Sequence, residues 1–159
     1  MKVIDTLEWS QPEAISEWGQ KILPPVKNAW PDYINYYVHP DIVVAVGRLL
    51  IPAFVEHEGG VFLQERFTTS GFLTWKEKLY DVTEVEKVIN HQHVYDLFSF
   101  DDNIAESSYI GVANLMAQTL RIALASSFPE RDFNVCVSNT DQDYGPIVAF
   151  HSASSTGTM

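Results

Sequence analysis

Ala105, Tyr109, Val112, Met116, Leu120 and Ala123 recur at steps of three and four residues, which keeps one face of a helix apolar over several turns. The spacing predicts a long helix over about residues 104–127, ended by Phe128 and Pro129. A helix of that length with one apolar face has to be covered, so the rest of the chain must supply a partner layer. The partner is legible directly downstream. Phe133, Val135 and Val137 alternate with Asn134, Cys136 and Ser138 as a half-buried strand does, and residues 139–146 then read as a loop before a last strand at 147–151. Upstream, Glu58, Gly59 and Gly60 stand between Phe54, Val55 and Val61, Phe62, Leu63, which predicts a second hairpin. The expected fold class is α+β: an antiparallel sheet built from two hairpins, packed against one long helix and several shorter ones.

The shorter helices are read from their ends. Ser10 and Glu13 have the spacing of a capping box before a helix at about 11–23, with Ala14, Ile15, Trp18 and Ile22 toward the core and Pro24 and Pro25 as its stop. Pro40 opens a helix to about Ile51 that is apolar on nearly every face, and a central, buried place is expected for it. Ser70 is placed to cap a helix through Leu73, Trp75 and Leu79. Thr83 and Glu86 make another capping box ahead of Val88 and Ile89. Between Asn90 and Asn103 the pattern is weak. Between these helices Trp30, Tyr33, Tyr36 and Tyr37 form a proline-punctuated aromatic stretch, read as a satellite core if buried and as interface anchors if exposed, with burial the expectation. The 159 residues show no internal repeat or linker, and the chain reads as one globular domain over 1–151 with a disordered tail over 152–159.

Charge narrows the function classes. The chain carries 21 Asp and Glu against 10 Lys and Arg, a formal charge of −11. The stretch from Asp81 to Glu106 holds Asp81, Glu84, Glu86, Asp96, Asp101, Asp102 and Glu106 against Lys87 alone. A field of this sign repels phosphate backbones and anionic lipid, so nucleic acid and membrane are not expected partners. The same field accelerates encounter with a basic protein. Asp96, Asp101, Asp102 and Glu106 are the candidate partner-binding residues. The longest apolar run, Ile42 to Ile51, is interrupted by Gly47 and Arg48, well short of a membrane span of about 18 residues. The first residues carry no secretory signature, and the single cysteine, Cys136, agrees with a reducing compartment; a cytoplasmic location is the expectation.

Catalytic and cofactor chemistry find little purchase. In an extended segment His91 and His93 project to one side and can approach a divalent metal, with Asp96 as a third ligand, yet a spacing of two is also what two histidines at a helix end show. Glu56, His57 and Glu58 suit acid and base roles but sit beside a hairpin tip, where side chains are usually solvated. Asn139, Asp141 and Asp143 open like a calcium loop, but Tyr144 replaces its glycine and Phe150 its final glutamate, which leaves a turn held by Asx hydrogen bonds. Cys136 reads as a small packing residue. Gly59 and Gly60 lead into a strand without a following lysine, unlike a phosphate-binding loop. No catalytic residue, metal or cofactor is assigned.

Two segments carry a resemblance: Pro52 to Phe67, with its glutamates and Gly-Gly turn, and Thr119 to His151, with its helix, Phe-Pro break and closing hairpin. They resemble stretches of small acidic bacterial proteins of unassigned role, some of the toxin–immunity type. The resemblance covers roughly a third of the chain and contributes no site residues. It implies a cytosolic protein that binds and neutralises a toxin. The expected function is thus a protein-binding module with an acidic surface, an immunity protein for a basic toxin such as a nuclease. The alternatives are a regulatory or structural subunit and a metal-dependent enzyme using His91 and His93. A homodimer remains open.

Overall fold

The computed structural model describes Lys2 and residues 10–99, 103–140 and 142–153. Its contacts divide the chain into two compact units, residues 1–47 and 48–159.

The first unit is helical. Helix α1, Glu13–Lys21, begins after Pro12, whose carbonyl accepts from the Ile15 and Ser16 amides; Glu13 in its first turn and Lys21 in its last complement the helix dipole. Ser10 therefore lies two residues ahead of the cap and is not the capping residue. Gln11 instead folds forward, and its Oε1 accepts from the amides of Ala29 and Trp30 at 2.8 and 3.1 Å, closing the start of helix α2, Trp30–Tyr37. The aromatic stretch is thus a helix of its own. Tyr33, Tyr36 and Tyr37 gather around Trp18 with ring centroids 5.4–5.8 Å away, while Tyr36 remains 71% exposed. Helix α3, Pro40–Leu50, whose residues 48–50 belong to the second unit, forms where its proline start predicts. Its expected burial does not follow: Ile42, Val43, Val44 and Val46 are exposed.

The second unit is α+β. Strands β1, Phe54–His57, and β2, Gly60–Leu63, pair antiparallel with Phe54 opposite Leu63 and His57 opposite Gly60. The turn residues are Glu58 and Gly59, both at positive φ, the arrangement a two-residue hairpin requires. Helices α4, Thr69–Leu79, and α5, Val82–Ile89, follow. Thr68, not Ser70, caps α4 by accepting from the Gly71 amide, and Asp81, not Thr83, caps α5 by accepting from the Thr83 amide. The weakly patterned stretch after Asn90 contains strand β3, Gln92–His93, and a 3-10 helical turn, Val94–Leu97. Helix α6, Glu106–Ser127, is the long helix; strands β4, Phe133–Ser138, and β5, Ile147–Ser152, close the unit. Ser152 thus belongs to the last strand and not to the tail; residues 154–159 lie outside the described residues.

Both expected hairpins form, in separate sheets: β1–β2 is one, and the other has the order β3–β5–β4, all antiparallel. Strand β2 is buried on both faces. Val61 and Leu63 point into a core with Met116, Leu120 and Leu124 of α6 and Val148 and Phe150 of β5, whereas Phe62 joins Phe72, Val85 and Ile89 beneath α4 and α5. The buried face of α6 runs Tyr109, Ala113, Met116, Ala117, Leu120 and Leu124, slightly rotated from the stripe read in the sequence.

Two polar side chains, from Glu86 of α5 and Asn90 at its end, join the two sheets. Glu86 and Asn90, four residues apart and both fully buried, lie between the edge of β2 and the part of β5 that the short β3 leaves unpaired. Glu86 accepts from the amides of Val61 and Ser152, each at 2.7 Å, and from the Ser152 hydroxyl at 2.8 Å. Asn90 accepts from the Leu63 amide at 2.9 Å and donates to the carbonyls of Val61 and Phe150. The two side chains stand where a bridging strand would, satisfying backbone groups that could not otherwise be buried. Glu86 is accordingly neither a capping-box residue nor part of the acidic surface. Arg131 completes the join, donating to the Gly59 carbonyl and the Ser152 hydroxyl at 2.8 Å, with Glu86 3.9 Å away.

Candidate functional site

Of the four candidate partner-binding residues, Asp101 and Asp102 lie outside the described residues. Asp96 and Glu106 are exposed, and the packing of the 3-10 turn on α6 places both at the head of the long helix. Tyr95 sets that packing, its ring edge-on to Tyr109 of α6 with centroids 4.7 Å apart. Glu106 then finds neighbours that the linear sequence does not put beside it. It lines a polar cleft of about 360 Å³ together with Tyr95 and, from the loop between β4 and β5, Asn139, Thr140, Asp143 and Tyr144. Asn139 donates to Glu106 at 3.0 Å, joining loop to helix.

The loop is built by Asp143. Its carboxylate accepts from the Thr140 amide and hydroxyl, both at 2.9 Å, and the Asp143 amide donates back to the Thr140 carbonyl. These bonds, first the backbone one and then the hydroxyl, hold the Asp143 carboxyl below its ordinary pKa, with Ser138 and the nearby His93 adding to the effect. Asp143 is therefore an anion at neutral pH. Tyr144 is 61% exposed and lies edge-on to Tyr95 at 5.5 Å. The cleft is lined by two carboxylates, an amide and two phenol rings, a set whose chemistry suits a lysine or arginine side chain: opposite charge beside aromatic rings. Asp143 entered the sequence reading only through the calcium-loop pattern. Its acidic neighbour across the cleft, 37 positions upstream, left no local signal.

His91 and His93 do face one way, with ring centroids 4.6 Å apart. His93 donates through Nδ1 to the Tyr144 carbonyl at 3.1 Å and so supports the same loop. Burial, then His93 and Arg66, lower the pKa of His91, with Asp143 opposing. Among the described residues no three His, Cys, Asp or Glu side chains converge as metal ligands would. His57 packs edge-on against Phe72, with centroids 4.6 Å apart. Cys136 is exposed on the outer side of β4, where alternation puts it, and is not a packing residue. No helix among the described residues is long and apolar enough to cross a membrane.

Comparison with protein-family models, with curated proteins and with solved structures gives no match for this chain.

Proposed function

We propose that this chain is a protein-binding module that takes a basic partner on the acidic surface around Asp96 and Glu106, in the manner of a cytosolic immunity protein neutralising a basic toxin such as a nuclease. The observation that carries the reading is the cleft at the head of α6, where Glu106 and Asp143 stand with Tyr95 and Tyr144 around a volume suited to one cationic side chain. Asp96, exposed on the adjoining turn, extends the negative field beyond the cleft. In such an interface the carboxylates speed association and set register, while the tyrosine contacts lengthen the complex's lifetime. A toxin that handles nucleic acid fits this surface because carboxylates can stand where phosphates bind.

The test begins with capture of partners on the full chain at about 50 mM and about 200 mM salt, since contacts of this kind weaken over that range. Association of the captured protein is then measured with Asp96, Asp101, Asp102 and Glu106 replaced together by Asn or Gln. The proposal expects an association rate lower by about tenfold and a flatter salt dependence. An unchanged rate and salt slope would sink it.

A further inference from the structure

A second cavity, of about 230 Å³, opens in the larger unit and shares no lining residue with the acidic cleft. Its floor is made by Leu63, Met116, Leu120 and Val148, all buried core side chains, so that end of the cavity is apolar. Its wall differs in kind. Arg48 and Glu65 both line the cavity, and Gln92 lies with them. The two opposite charges do not pair with one another, and among the described residues no ion pair or hydrogen bond engages either side chain. An apolar socket flanked by one unpaired cation, one unpaired anion and an amide is complementary to a small zwitterion with an apolar tail.

We infer that this cavity binds a free α-amino acid with an apolar side chain. The carboxylate is taken by the Arg48 guanidinium, whose planar fork matches it, and the ammonium by Glu65; the side chain enters the socket over Met116 and Leu120. Size supports the class: the volume lies below the roughly 300 Å³ at which sites for drug-sized ligands begin. Charge supports it as well. A simple fatty acid would leave Glu65 facing a carboxylate, and a simple amine would leave Arg48 facing an ammonium. This site is independent of the acidic cleft, and neither reading needs the other.

The experiment is a titration of the isotopically labelled full chain with L-valine, L-leucine and L-phenylalanine, followed by amide NMR shifts. Isocaproate, which lacks the ammonium of leucine, and isoamylamine, which lacks its carboxylate, are run beside them. At least one amino acid is expected to move the Leu63, Gln92, Leu120 and Val148 amides saturably with a Kd of about 1 mM or tighter. Arg48→Gln and Glu65→Gln, both on the surface and checked as folded by their own spectra, should each weaken binding about tenfold. Absence of saturable shifts at about 10 mM of all three amino acids overturns the inference. So does isocaproate or isoamylamine binding as tightly as leucine, or a Kd that neither substitution moves.

Discussion

At the residue scale the decisive side chains are Glu86 and Asn90, which hold together two sheets that share no ladder. Replacing Glu86 by Ala leaves the Val61 and Ser152 amides without their acceptor and removes the carboxylate beside Arg131; a loss of about 3–5 kcal/mol is expected in urea unfolding. Asn90→Ala should cost a comparable amount through the Leu63 amide and the Val61 carbonyl. A second residue-scale prediction concerns pH. Because burial, His93 and Arg66 lower the pKa of His91, the unfolded chain takes up that proton more readily than the folded one. The stabilisation is complete above the ordinary value of 6.5 and is lost as pH falls below it. Urea midpoints measured from about pH 7 to about pH 5 should therefore decline less steeply in His91→Gln than in the wild type. In the linear sequence Glu86 looks like half of a capping box, since nothing local separates a carboxylate that caps a helix from one that lies under it. What decides is which strand edges arrive above it, and Val61 and Ser152 are 25 and 66 positions away.

At the scale of elements, periodicity and end signals locate most helices and both hairpins but misplace several caps. The sequence offers Ser10, Ser70 and Thr83, and the helices use Pro12, Thr68 and Asp81. Any Ser, Thr or Asp within a turn of the start satisfies the local chemistry, so the choice falls to whichever residue tertiary packing leaves extended. Both Thr68 and Asp81 are extended. Thr68→Ala is thus expected to lower stability by about 1 kcal/mol, and Ser70→Ala to leave it nearly unchanged, in paired thermal melts. The β1–β2 hairpin makes a sharper prediction at Gly60. A Cβ there would lie 2.6 Å from the Val82 side chain and 2.7 Å from Phe62, at the point where the hairpin meets α5. Gly60→Ala should cost about 1–3 kcal/mol by overpacking.

For the whole molecule, a charge of −11 acts on the fold as well as on partners, because like charges repel most in the compact state. Raising salt from about 50 mM to about 200 mM should therefore raise the melting temperature, as read by calorimetry, by screening that repulsion. The sequence alone determined the α+β class, the long α6, both hairpins and the excess of negative charge, since each follows from local spacing or from counting. Tertiary structure alone decided that the apolar α3 is exposed on residues 42–46, that Glu86 leaves the acidic surface for the interior, and that Glu106 meets Asp143 across a cleft with two tyrosines. The physical reason is common to all three. Periodicity states which face of an element is apolar or charged, but burial and convergence depend on what distant parts of the chain bring to that face, and no local spacing encodes it.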